Sequence, residues 1–138
     1  MKKIILSLFV LSAVLVSCKK TDKNCDLNAN NLAGTYRLTA ATYKANSTTA
    51  AIDLFATLSP CEKDDLVILN SGGTYTYTDA GIVCSPAGND TGTWSFSGST
   101  LIIDGDAYSV PSFSCSGMTI TQAGTTPGEL TTLTLAKQ

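Results

Sequence analysis

After its N-terminal segment the chain is a succession of short apolar or alternating runs separated by turn residues. Leu32 to Tyr43 alternates, with Tyr36, Leu38 and Ala40 on one face and Arg37 and Thr39 on the other. Lys44 to Thr49 is a polar loop. Ala50 to Leu58 places Ile52, Phe55 and Ala56 at helical spacing and predicts a short helix or irregular lid ending before Pro60. The apolar run Leu66 to Leu69, the turn Asn70-Ser71-Gly72-Gly73 and the alternating Thr74 to Thr78 predict a β-hairpin. Thr91 to Ser97 puts Trp94 and Phe96 on one face, and Leu101-Ile102-Ile103 follows after Gly98-Ser99. Beyond Asp104-Gly105-Asp106 come Ala107 to Phe113, bent or ended near Pro111, and Cys115 to Gln122, with Met118 and Ile120 on one face. Leu130 to Leu135 closes the series. Eight short strands, each able to pair with its sequence neighbour, predict an all-β, eight-stranded antiparallel up-and-down barrel, which leaves no free sheet edge. A β-sandwich is the alternative.

The cysteines sharpen this picture. If the hairpin turn is centred on Gly72-Gly73, Asn70 faces Tyr75 and Cys61 faces Cys84 across the two strands, within disulfide reach. Cys25 and Cys115 then pair by elimination. With Cys18 set aside, as argued next, the remaining count is even, which fits two bridges in an exported chain.

The N-terminus explains why Cys18 stands apart. Met1-Lys2-Lys3 is a short basic start, and Ile4 to Val16 is apolar except for Ser7 and Ser12. That is the layout of a secretory signal peptide, too short to span a bilayer comfortably. Its ending, Leu15-Val16-Ser17-Cys18, resembles the lipobox of bacterial lipoproteins. The resemblance implies cleavage before Cys18 and acylation of that residue by fatty chains such as palmitate. Residues 1–17 are then the signal, 18–31 a polar tether rich in Lys, Asp and Asn, and 32–138 the folded domain. The expected partner is a membrane, reached through several acyl chains on Cys18, since a single chain anchors only marginally. The expected location is the bacterial cell envelope, at the outer membrane. Removing Lys2 and Lys3 leaves seven basic against eleven acidic residues, a net charge of −4. That balance provides no electrostatic footprint for nucleic acid.

Candidate chemistry is sparse. The chain has no histidine, so Ser-His-Asp and Cys-His arrangements and His-ligated metals are out of reach. With the cysteines oxidised or acylated, no thiol nucleophile remains, and no enzyme activity or cofactor is expected. Glu62, Asp64 and Asp65 form the densest carboxylate group. They flank Leu66 to Leu69 and read as residues that keep an apolar strand soluble, since a calcium loop needs more ligands at set spacing. Asp104-Gly105-Asp106 reads as a hairpin turn. Tyr36, Tyr75, Tyr77, Trp94, Phe96 and Tyr108 are the larger aromatics. They either pack the core or line an apolar pocket with hydroxyls as polar handles.

Several motifs together carry a family resemblance. They are Gly34-Thr35-Tyr36 with Leu38, the helix-like stretch before Cys61-Glu62-Lys63-Asp64-Asp65, Gly73-Thr74-Tyr75, Cys84, and Gly92-Thr93-Trp94 with Phe96. Across residues 32–136 the chain resembles the lipocalin-like domain of small bacterial lipoproteins. The resemblance implies an eight-stranded barrel on a lipid anchor, binding a small hydrophobic ligand or, as the alternative, an envelope protein to a filled barrel. Two features depart from the usual lipocalin pattern. Tyr36 stands where a tryptophan is customary, and the late-chain arginine that stacks on that tryptophan has no counterpart, because Arg37 is the only arginine.

Overall fold

The structure, a computed structural model, describes residues 25–138. The proposed signal peptide and Cys18 lie outside the described residues. A four-residue helix α1 (Ala29–Leu32) precedes strand β1 (Gly34–Lys44). A two-residue strand β2 (Ile52–Asp53), a 3-10 turn (Phe55–Thr57) and a four-residue helix α2 (Pro60–Lys63) follow. The remaining strands are β3 (Leu66–Leu69), β4 (Thr74–Thr78), β5 (Asp90–Ser97), β6 (Thr100–Ile103), β7 (Asp106–Ser114), β8 (Gly117–Ala123) and β9 (Leu130–Lys137). Strands β3 to β9 pair in sequence order, β1 pairs with β3, and β1 also pairs with β9. The sheet therefore closes into an eight-stranded antiparallel barrel, with β2 added beside the upper half of β1. Closure satisfies the edge groups that an open sheet would leave bare.

The chain alternates between two ends of this barrel. One end carries α1, the β3–β4, β5–β6 and β7–β8 turns and the C-terminus. The other, the mouth, carries residues 45–65, the loop 79–89 and the β6–β7 and β8–β9 connections. The core sits toward the α1 end, where Leu32, Tyr36, Leu69, Trp94, Leu101 and Ile120 are buried. Leu32 is driven into the barrel as a plug. Asn28 caps α1 by accepting from the Asn31 amide at 2.9 Å, and the Tyr36 hydroxyl donates to the Leu32 carbonyl at 2.7 Å.

The register differs from the sequence expectation by one residue. Leu69 faces Tyr75, Ile68 faces Thr76 and Val67 faces Tyr77. The Asn70 amide donates to the Thr74 carbonyl, and Gly73 takes φ +82°. The loop is thus the three residues Ser71-Gly72-Gly73, with glycine in the left-handed position that such loops favour, instead of a two-residue turn. A one-residue shift decides which side chains point inward, and this one buries Leu69 and Tyr75 together. It also removes the cross-strand basis for pairing Cys61 with Cys84. The Cys61–Cys84 bridge is present with Cα atoms 5.3 Å apart, but it joins α2 to the loop after β4.

Other expectations change in detail. A bulge between Leu38 and Ala40 moves the inward face of β1 from Ala40 to Ala41, which is buried. The stretch 50–58 is an edge strand and a 3-10 turn, because the Leu54 amide bonds to the Ala41 carbonyl of β1 instead of continuing a helix. From Cys25 onward the segment expected as tether lies against the barrel. Cys25 is bridged to Cys115, with Cα atoms 5.4 Å apart, and Leu27 packs on the core.

Candidate functional site

Strand β1 pairs with β3 only from Gly34 to Arg37, because β3 starts at Leu66. Above that level β3 gives way to the two-residue strand β2 at Thr42 and Tyr43 of β1, the 3-10 turn and α2. Beneath this patch lies a pocket of about 260 Å³. Leu38 of β1, Val67 of β3 and Leu133 and Leu135 of β9 form its apolar floor and sides, and Leu58 covers it. Three polar side chains complete the lining: Tyr77 of β4, Glu62 of α2 and Asp65. The volume is slightly below the roughly 300–1,000 Å³ typical of small-molecule sites, so the pocket suits only a compact ligand.

Local sequence holds the polar rim in place. Ser59 precedes α2 and donates to Glu62 Oε2 from both its amide and its hydroxyl, each at 2.7 Å. Glu62 thus closes a capping box, and Pro60 fits the first helical turn, where no amide partner is needed. The amide and hydroxyl of Ser59 hold the Glu62 carboxyl below the usual carboxylate range. Asp65 is 7 % exposed. It accepts from the Tyr77 hydroxyl and from the Ala80 amide. Burial raises the Tyr77 hydroxyl pKa, reinforced by that hydrogen bond and by the negative charges of Asp65, Glu62 and Asp79.

Beside the pocket, carboxylates also organise the loop 79–89. Buried Asp79 accepts from the amides of Cys84 and Gly88 at 3.0–3.1 Å, and Asp64 Oδ2 accepts from the Ile82 amide at 2.8 Å. Asn89 receives the Asp79 amide at 2.9 Å. The dense carboxylates therefore serve as backbone acceptors, a role their spacing in the sequence does not disclose. Among the described residues, no group of three His, Cys, Asp or Glu side chains could hold a metal ion. The loop presents Ile82 and Val83 to solvent, about three-fifths exposed.

Of the six aromatics singled out in the sequence, Tyr77 alone is in the pocket lining. Tyr36, Tyr75 and Trp94 are buried in the core, where Trp94 Nε1 donates to the Asn70 carbonyl at 2.8 Å. Phe96 and Tyr108 are half-buried against that core. All six aromatics therefore pack in or against the core, and Tyr77 in addition borders the pocket. The aliphatic residues Leu38, Val67, Leu133 and Leu135 carry the pocket instead. The inward phase of Leu38, Leu133 and Leu135 was readable in the alternation; that of Val67, in the all-apolar run Leu66 to Leu69, was not, nor was the gap between β1 and β3 that leaves space before them.

No helix among the described residues is long and apolar enough to cross a membrane. No curated protein and no solved structure matches the chain. A closed eight-stranded barrel with an apolar pocket at its mouth agrees with the family comparison: the lipocalin-like domain matches residues 32–135, and the chain belongs to that family.

Proposed function

We propose that this protein is a lipid-anchored lipoprotein of the bacterial cell envelope whose barrel binds a small, largely apolar ligand. The observation that carries the binding half is the pocket of about 260 Å³ under the 3-10 turn and α2, lined mainly by aliphatic side chains. Leu15-Val16-Ser17-Cys18 supports the anchor. The Cys25–Cys115 bridge lies at the α1 end, opposite the mouth. The seven steps of chain from Cys18 to Cys25 reach at most about 25 Å. A barrel held at that end turns its mouth away from the bilayer that holds it, so ligand exchanges with the aqueous side. With no histidine in the chain, binding is favoured over acid–base catalysis.

A second reading has its own support. Ile82 and Val83 form an exposed apolar pair on a loop held by Asp64, Asp79 and the Cys61–Cys84 bridge, which favours docking of another envelope protein at the mouth. One experiment addresses both. Full-length protein, extracted from membranes in mild detergent, is analysed by native mass spectrometry beside the pocket-filling variant Leu133→Trp. A small-molecule adduct lost in the variant supports the ligand reading. A protein partner retained by Leu133→Trp and lost on Ile82→Ser with Val83→Ser supports the second. An unmodified Cys18 in the mature N-terminal peptide would sink the anchor.

A further inference from the structure

The pocket's lining is chemically lopsided. Apart from Tyr77, its polar groups are Glu62 and Asp65, two carboxylates over an aliphatic floor. Neither is neutralised by a lining cation. Lys63, the neighbouring base on α2, points its ammonium 5.3 Å from the centre of the Phe55 ring, and neither residue belongs to the pocket lining. Asp65 is more than nine-tenths buried yet keeps accepting capacity beyond Tyr77 and Ala80, since a carboxylate offers about four lone-pair sites. Glu62 directs Oε2 to Ser59, and no hydrogen bond within the fold engages its Oε1 among the described residues. The wider mouth has an excess of the same sign: Asp79, Asp90, Asp104, Asp106 and Glu129 lie in the connections or first strand residues at that end, against the cations Lys44 and Lys63. Like charges around a concave, low-dielectric site reinforce one another and concentrate counter-ions there.

Resting on the ligand-binding reading above, we infer that the pocket selects amphiphilic cations: a compact apolar body against Leu38, Val67, Leu133 and Leu135, and an ammonium group at Glu62 and Asp65, with the Tyr77 ring beside it. An ammonium supplies three donors, which suits carboxylate acceptors, and an aromatic face adds cation–π attraction. A neutral ligand of the same shape leaves buried Asp65 without a counter-charge, while Glu62, exposed at the rim, stays hydrated. An anionic one is repelled.

Three probes of one shape test this: 3-phenylpropan-1-amine, 3-phenylpropan-1-ol and 3-phenylpropionate, titrated calorimetrically into the full-length protein in lipid nanodiscs, with empty nanodiscs as the blank. The expected order is amine, alcohol, carboxylate, with the amine at least tenfold tighter than the alcohol. In Glu62→Gln with Asp65→Asn that ratio falls below about threefold. Both replacements keep an acceptor for Ser59 and for Tyr77, and the ratio is taken within one protein, so a general loss of folded material cancels. Alcohol binding as tight as amine binding, with both abolished by Leu133→Trp, overturns the cation preference and leaves the pocket reading standing. Failure of all three probes to bind overturns both.

Discussion

The ammonium of Lys137 stands 5.5 Å from the centre of the Tyr36 ring and donates to the carbonyls of Asn31 and Ala33 at 2.7 and 2.8 Å. The late-chain cation that stacks on the first-strand aromatic is therefore present after all. It is a lysine where an arginine was sought, one strand away across the β1–β9 seam that closes the barrel. The same contact caps the C-terminal end of α1 and so fixes the plug.

Removing this cation should destabilise the closed end. In Lys137→Met the stem persists but two carbonyls lose a charged donor, and a loss of about 2 kcal/mol is expected. Gly34 shares the site: its φ is +151°, and a Cβ there would collide with the Lys137 side chain. Gly34→Ala should therefore be destabilising alone and less so beside Lys137→Ala, where the collision is relieved. Urea melts of the four proteins in a double-mutant cycle check this, and strictly additive penalties would contradict it.

A second pair makes stability depend on pH at both extremes. The Tyr75 hydroxyl donates to Asp104 Oδ2 at 2.7 Å, and the Thr93 amide donates to Asp104 Oδ1 at 2.8 Å. The hydrogen bond to Asp104, then burial, pushes Tyr75 up to about 12, and burial pushes Tyr36 up to about 12. The folded state thus holds these phenolic protons more tightly than the unfolded chain. Their contribution is complete below about pH 10 and is lost as pH rises toward 12. For Asp104 the sign is reversed. Its carboxyl is lowered, first by the Tyr75 hydroxyl, so its contribution is present above the ordinary carboxylate pKa and is lost on acidification below it. Melting temperature should fall at both ends, and Tyr75→Phe should reduce both slopes. Absorbance titration at the tyrosinate band gives an independent readout: Tyr36 and Tyr75 should ionise about two units above a free tyrosine.

The loop 79–89 is held by three kinds of bond, so its loss should be graded. The Cys61–Cys84 bridge spans 23 residues, and the chain-entropy treatment gives about 3 kcal/mol for it. Asp79→Ala leaves the partly exposed amides of Cys84 and Gly88 without their charged acceptor, at about 1–2 kcal/mol. Gly81 has φ +62°, and a Cβ on it would strike the Asp64 carboxylate, so Gly81→Ala should shift the loop as well. Hydrogen exchange at residues 80–88 should accelerate in each variant, most in the one lacking the bridge. The Cys25–Cys115 bridge spans 90 residues, for about 4.5 kcal/mol by the same treatment. It staples the Leu27–Leu32 plug, so breaking it should cost stability instead of merely freeing a tether. An unchanged melting temperature after Cys25→Ser with Cys115→Ser would count against the plug.

The order of the strands and the inward phase of Leu38, Trp94, Met118, Ile120 and Leu135 were written in the sequence, which favoured a closed barrel but left a sandwich open. Alternation and turn residues are local signals, and each neighbour-to-neighbour pairing needs only the next turn. What lay beyond local signals required the barrel to close. The three-residue loop at Ser71-Gly72-Gly73 and the bulge after Leu38 each shift a face by one residue, and only burial against the opposite wall selects between the two phases. Lys137 and Tyr36 lie a hundred residues apart and meet because β9 returns to β1. The pocket is a tertiary product in the same sense. It exists because β3 starts too late to cover the upper half of β1, so a short helix bearing Glu62 covers the gap instead, above Leu133 and Leu135, which come from the far end of the chain.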